Sequence, residues 1–204
     1  MWKLLSLVLA SVVVTVASAG VPGAQAVQGG AGRTEAAVFA GGCFWCVEAD
    51  FDKVAGVKST TSGYTGGRTS KPTYEQVSAG GTGHIEAVRI EFDPAVVTYE
   101  ALLDHFWKNI DPFNARGQFC DIGESYKPVI FTADERQRTA ATRSRDRLQM
   151  QFKERIVVEI VPAATFYRAE EYHQDYYKKN PVRYNFYRWN CGRDNRLASI
   201  WGDH

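Results

Sequence analysis

The chain has 204 residues, of which 45% are hydrophobic, 13% aromatic and 23% charged. That length supports one well-buried core and is short for two domains, and the composition is that of an ordinary globular protein. The formal net charge is +1, and Lys3 is the one charged residue among the first 26, which leaves 23 basic against 23 acidic residues in the remainder; such a balance excludes a generally basic face built for nucleic acid or an anionic membrane surface.

Met1-Trp2-Lys3 is a short basic start, and residues 4–17 are nearly all apolar. Ala17-Ser18-Ala19 and Ala24-Gln25-Ala26 both have the small-x-small form that a signal peptidase needs. Residues 1–26 therefore read as a secretory signal peptide, cleaved after Ala26 because Pro22-Gly23 breaks the apolar helix just upstream. The apolar run is short for a hydrocarbon core of about 30 Å; an uncleaved anchor is the alternative. No cysteine follows the run closely, which argues against lipid attachment. The expectation is an exported protein, periplasmic or secreted, with no stable membrane association after cleavage. Residues 27–34 read as a flexible leader rich in Gly, Ala and Gln, and residues 35–204 as a single domain.

Residues 35–40 read as a short buried strand. Residues 43–54 then have helical character, with Phe44, Val47, Phe51 and Val54 three and four apart. Residues 57–64, rich in Thr, Ser and Val, look like a strand, and 63–67 like a glycine loop. "HIEAVRIEF" (84–92) alternates apolar and polar and is the clearest strand. Thr98 is an N-cap for an amphipathic helix carrying Leu102, Leu103, Phe106 and Trp107. Residues 111–124 read as loop, 127–131 as strand, 134–153 as a long charged helix, 156–161 as strand and 170–179 as helix. The aromatic, Arg-rich remainder reads as an irregular tail. This irregular alternation predicts one α/β (α+β) domain, a mixed sheet with helices packed on it.

All four cysteines, Cys43, Cys46, Cys120 and Cys191, follow the signal segment. Four in a domain this size do not make a disulfide scaffold. "GGCFWC" (41–46) places Cys43 where a strand yields to a helix. A cysteine at a helix N-terminus gains a lowered pKa from the free N–H groups and the dipole, and the thiolate is the nucleophile. Cys46 lies one turn on, within reach of Cys43, so the pair can cycle between dithiol and disulfide. Two packed structural thiols or a structural disulfide are the bland reading. Zinc needs two further ligands at suitable spacing, and neither the isolated Cys120 and Cys191 nor the four scattered histidines supply them; no metal is expected. Phe44 and Trp45 either line a shallow apolar pocket beside Cys43, suited to a methyl group, or belong to the core.

A thiolate attacking a polar centre needs help with the departing oxygen. Glu86, at the start of the clearest strand, becomes a proton donor if it faces inward, because burial raises its pKa. Facing outward, it is an ordinary strand glutamate. Tyr74 and Tyr126 can donate phenolic hydrogen bonds or be half-buried packing residues. Asp121 can order a loop by accepting from backbone N–H groups.

"GGCFWCVEADFDKVAGVKSTTSGYTGG", "PTYEQVSAGGTGHIEAVRIEFDP", "FWKNIDP" and "DIGESYKPVIF" together resemble the A-type peptide methionine sulfoxide reductases, over about residues 38–180 and in the same order. The resemblance implies a two-layer ferredoxin-like core and reduction of methionine-S-sulfoxide, free or in proteins. It implies Cys43 as nucleophile on the sulfoxide sulfur, Phe44 and Trp45 as the S-methyl pocket, and protonated Glu86 as donor to the sulfoxide oxygen. Tyr74 and Tyr126 would bind that oxygen, and Asp121 would order the site. Cys43 is left as a sulfenic acid; a second thiol condenses with it, and a thioredoxin-like partner reduces the disulfide. No bound cofactor is implied, and a monomer is expected. Many relatives have glycine at the position of Cys46 and use cysteines of a glycine-rich tail. Here Cys46, then Cys191, then Cys120 are the candidates for the resolving thiol. Arg183, Arg188, Arg193 and Arg196 form either a docking face for the reductant or a solvated surface. Two other activities stay in view: a general thiol–disulfide oxidoreductase using Cys43 and Cys46, and a module that binds oxidised or Met-rich peptides without turnover.

Overall fold

The computed structural model of the chain describes residues 32–202. The expected signal segment and residues 27–31 of the leader lie outside the described residues; 32–34 carry no helix or strand. In chain order the elements are β1 (Glu35–Ala40), α1 (Phe44–Phe51), β2 (Val57–Thr65), α2 (Tyr74–Ala79), β3 (Ile85–Phe92), α3 (Tyr99–Lys108), β4 (Gly117–Gln118), β5 (Asp121–Ile122), β6 (Val129–Thr132), α4 (Glu135–Gln149), β7 (Glu159–Pro162), β8 (Tyr167–Arg168), α5 (Tyr176–Lys179), α6 (Pro181–Asn190) and α7 (Arg193–Trp201).

β1, α1, β2, β3, α3 and β6 make a βαββαβ unit with strands in the order β6-β1-β3-β2, every neighbour antiparallel. That is the ferredoxin-like arrangement. β7 extends the sheet parallel to β6, and β8 pairs antiparallel with β2 at the other edge. The main core lies between the sheet and its helices. Phe39 of β1 stacks on Phe51 of α1 (5.5 Å) and Phe106 of α3 (5.0 Å). Each such fully buried side chain stabilises by about 1.5–3 kcal/mol. The caps are sequence-local: Thr98 Oγ1 accepts from Ala101 N at 3.1 Å, and Asp134 Oδ1 from Gln137 N at 2.8 Å. Trp107 joins α3 to α4 by donating to Ser144 Oγ at 2.9 Å.

Four local expectations change. Gly63 and Tyr64 belong to β2, leaving Gly66 and Gly67 to the turn. The 111–124 loop contains the β4–β5 hairpin. In 170–179 only Tyr176–Lys179 is helical, because Asp175 takes a left-handed backbone at φ +51° and separates it from the turns before it. The tail is not irregular. It forms α6, begun by Pro181 at its first turn, and α7, separated by Gly192 at φ +65°. Its inward residues are Tyr184, Arg193 and Leu197; this mix of tyrosine and arginine hides the apolar period that marks a helix in a sequence.

A disulfide joins Cys120, between β4 and β5, to Cys191 at the end of α6, 71 residues on. Closing a loop of that length restricts the unfolded chain. Replacing both cysteines with alanine is expected to cost about 2–4 kcal/mol, read as a lower urea midpoint; an unchanged midpoint contradicts a structural contribution.

Candidate active site

Cys43 is the N-cap of α1, and its carbonyl accepts from the N–H groups of Cys46 and Val47. The chain reaches this position through Gly42, at φ +85°. A Cβ on Gly42 would stand 2.5 Å from Cβ of Gln118. Gln118 is fully buried and exchanges hydrogen bonds with the backbone of Asp111. Gly42 thus allows the β4–β5 hairpin to press on the cysteine turn. Gly42→Ala meets both a clash and a disfavoured φ, with an expected cost of roughly 1–3 kcal/mol in a denaturant titration; wild-type stability contradicts this packing.

Cys43 and Cys46 are free thiols, 6% and 2% exposed. The two thiols act on each other's ionisation. Burial raises the Cys43 pKa well above its usual value, and the Cys46 contact, Glu86 and Asp121 push the same way. The lowered pKa expected from a helix N-terminus is therefore not what this site gives Cys43. The first free N–H of α1, that of Phe44, is donated to Glu86 Oε2 at 3.0 Å instead. Cys46 is brought down to about 7, chiefly by Cys43, against burial and with help from Arg193 and Arg188.

Glu86 faces inward and is 2% exposed. Burial raises its pKa to about 8, with Asp121 and Cys46 adding to the rise and the Phe44 N–H opposing it. It is a neutral acid at physiological pH. Tyr74 opens α2, and Tyr126 closes the turn after β5. The two phenols act on each other's ionisation. Burial pushes the Tyr74 phenol up to about 12 and Tyr126 higher still, with Glu86 contributing to both. Both stay protonated donors.

Phe44 is core, 4.9 Å from the His173 ring and 5.9 Å from Tyr64. Trp45 is half-buried. It donates Nε1 to His173 Nδ1 at 3.0 Å, stacks on Tyr176 at 3.8 Å and meets Tyr187 edge-on. Among the described residues the Asp121 side chain accepts no bond from a backbone N–H. It takes the Tyr187 hydroxyl at 2.5 Å, and its oxygens lie 3.8 and 3.9 Å from the sulfurs of Cys120 and Cys191. The other two candidate resolving cysteines are thus bonded to each other, beside the same aspartate.

The structure gathers every candidate of the sequence reading around Cys43. It adds Tyr187, whose hydroxyl donates to Asp121 and acts on Cys43, and His173. It also adds Glu170, which accepts from Tyr64 Oη at 2.7 Å and Tyr74 N at 2.9 Å. The helical spacing of Tyr184, Tyr187 and Cys191 was the one available signal for Tyr187. The four arginines divide: Arg193 is 2% exposed and Arg188 is bound to Asp50, whereas Arg183 and Arg196 are exposed, Arg196 while bound to Asp111 at 2.7 Å.

The family described as "Peptide methionine sulfoxide reductase" matches residues 35–204. The chain belongs to the peptide methionine sulfoxide reductase family. It is 50% identical to peptide methionine sulfoxide reductase MsrA 2 of Staphylococcus aureus strain MW2, over 83% of this chain and 97% of that protein. It is 47% identical to MsrA 2 of Caulobacter vibrioides, over 94% of this chain and 97% of that one. Among solved structures, reduced Mxr1 of Saccharomyces cerevisiae superposes with a TM-score of 0.70 at 29% identity, covering 73% of this chain and 87% of Mxr1. Methionine sulfoxide reductase A of Corynebacterium diphtheriae gives 0.67 at 33%, covering 76% and 79%. The enzyme is a peptide methionine sulfoxide reductase of the A type, built on the mixed sheet common to these structures.

Proposed function

We propose that this enzyme reduces methionine-S-sulfoxide, free or in proteins, through Cys43, and that Cys46 is the first resolving thiol. The observation that carries the reading is Glu86: a buried neutral acid fixed to the N–H next to Cys43. In the reaction, Cys43 sulfur attacks the sulfoxide sulfur while Glu86 protonates its oxygen and Tyr74 and Tyr126 hold it. Half-buried Trp45 presents the apolar wall for the S-methyl group, backed by the core that holds Phe44. Methionine leaves, and the oxygen remains on Cys43 as a sulfenic acid. Cys46 then attacks that sulfur; the S–O bond breaks, the S–S bond forms and water departs.

A thioredoxin-like protein returns the two electrons, in keeping with the solved complex of Mxr1 with Trx2. We also propose that the enzyme is exported after cleavage behind Ala26, a reading supported by the signal-like sequence and by a disulfide of the kind that persists in oxidising compartments. Mass analysis of the protein recovered outside the cytoplasm should find an N-terminus at Val27.

The resolving step is tested in a variant with Cys120 and Cys191 both replaced by alanine. One equivalent of sulfoxide without reductant should yield a Cys43–Cys46 disulfide by peptide mapping. A persistent sulfenic acid in this variant would contradict the role of Cys46.

A further inference from the structure

Glu170 stands between β8 and α5, on a segment pinned to the edge of the sheet. Ala169 N donates to the Ser62 carbonyl of β2 at 2.9 Å. Gln174 Oε1 accepts from Ser62 N at 3.0 Å, and its Nε2 donates to the Ser62 carbonyl at 2.9 Å. With the chain held on both sides, the Glu170 carboxylate meets two donors of the site. Oε1 accepts from the Tyr74 N–H at 2.9 Å, and Oε2 from the Tyr64 hydroxyl at 2.7 Å. His173 Nε2 lies 4.0 Å from Oε2, beyond hydrogen-bond reach.

Both bonds lead to the oxygen-binding side of the site. Tyr74 is the first residue of α2, a helix of six residues whose buried side chain is Val77. Its local capping box, Thr73 with Gln76, shapes the first turn but does not tie it to the sheet. The Glu170 bond supplies that tie. Tyr64 is fully buried in β2, and its register partner across the sheet is Glu86 of β3. The Tyr64 ring also lies 5.9 Å from the ring of Phe44, the residue after Cys43. One carboxylate thus holds the backbone of Tyr74 and the cross-strand neighbour of Glu86.

We propose that Glu170 is a positioning residue: by gripping the Tyr74 N–H and the Tyr64 hydroxyl together, it sets the Tyr74 phenol against Glu86 where the sulfoxide oxygen is received. This rests on the reading of Tyr74 and Glu86 as the groups that serve that oxygen, and deepens it. Glu170 acts through Tyr74 and exchanges no proton with the substrate. The physical reason is precision. A hydrogen bond to charge that develops on the oxygen stabilises most when its donor is fixed before the reaction. A donor displaced by about 1 Å can cost on the order of 10²-fold in rate. α2 is short and lies at the surface, so its own turn cannot supply that precision. A carboxylate can, because it accepts from both donors at once, and more strongly than a neutral group.

The experiment is a single turnover on blocked methionine-S-sulfoxide without reductant, reading the rate of methionine release at saturation and the half-saturating concentration. Tyr74→Phe should slow release by about 10²–10³-fold, the loss of one donor to the oxygen. Glu170→Ala should slow it by roughly 10–10²-fold with half-saturation unmoved. The double variant should be no slower than Tyr74→Phe alone, because misplacing a hydroxyl that is already gone costs nothing. Glu170→Gln should return most of the rate: its carbonyl oxygen accepts the Tyr74 N–H and its amide donates to the Tyr64 oxygen. Tyr64→Phe keeps the buried ring and removes the hydroxyl. It should show part of the Glu170→Ala loss, again masked by Tyr74→Phe, and it carries the test if the alanine variant does not fold. Losses that multiply in either double variant overturn the proposal, as do a wild-type rate in Glu170→Ala or Tyr64→Phe and a glutamine variant as slow as the alanine one. A rise in half-saturation alone also overturns it, since that places the effect on the Trp45 wall through His173. Wild-type release by Tyr74→Phe would instead overturn the reading beneath it.

Discussion

Cys43→Ser abolishes sulfoxide reduction, with an expected loss on the order of 10⁶-fold, the scale seen when a covalent nucleophile is removed. The serine keeps the N-cap geometry, because the Cys43 carbonyl and not its side chain bonds the first turn. The fold and the Glu86–Phe44 contact should therefore survive, which near-ultraviolet dichroism can check. Serine cannot accept oxygen from the sulfoxide, so no methionine is released even once per enzyme. A first-turnover burst in this variant would mean that another thiol does the chemistry. Cys46 would then be the first suspect, being the thiol with the lower pKa.

Glu86→Gln should lower kcat/KM by about 10²–10⁴-fold, the usual contribution of a positioned acid. Glutamine can still accept the Phe44 N–H through its carbonyl oxygen, so the loss reports the missing proton and not a collapsed turn. The acid form of Glu86 is the active one, and its pKa is about 8. Wild-type kcat/KM is therefore expected to fall as pH rises through about 8, and the glutamine variant should lack that limb. Stability carries a matching sign. The folded protein binds this proton more tightly than the unfolded chain, so the stabilisation from Glu86 is complete below its ordinary pKa of 4.5. It is lost as pH rises from there through about 8. In alkaline buffer Glu86→Gln should be at least as stable as wild type, and a less stable variant would contradict the assignment of a buried neutral acid.

The elements that frame the site were legible because their signals are local. "HIEAVRIEF" alternates apolar and polar along most of its length, and Thr98 and Leu102, Leu103, Phe106 and Trp107 mark α3 by cap and period. The motif set carried Cys43, Glu86, Tyr74, Tyr126 and Asp121 together by resemblance, and the fold brings them together. What was hidden depends on contacts between distant segments. Whether Glu86 faces in cannot be read from its own strand, where half-buried Ile85 precedes it and buried Ala87 and Val88 follow. The protonation of Cys43 follows from burial under the β4–β5 hairpin and the tail, so an argument from the helix end alone gave the wrong direction. The tail helices escaped notice because they are held by Arg188, Arg193 and Arg196 on Asp50 and Asp111, and by Cys191 on Cys120. In sequence those partners lie between 71 and 143 residues away and look like ordinary surface charge.

Asp121 shows how the two parts meet. Its place in "DIGESYKPVIF" marks it as a site residue, yet its partner is the Tyr187 hydroxyl of α6. The disulfide beside it ties that helix to the hairpin. The C-terminal helices are thus a wall of the catalytic centre, and they bring charge to Cys46 and a phenol to Cys43.

The most direct measurement is epimer-resolved turnover by the purified enzyme. Separate S- and R-sulfoxides of a blocked methionine are supplied with dithiothreitol, and methionine is counted. The account predicts reduction of the S epimer alone, lost in Cys43→Ser. Equal reduction of both epimers, or none by a folded protein, would contradict it.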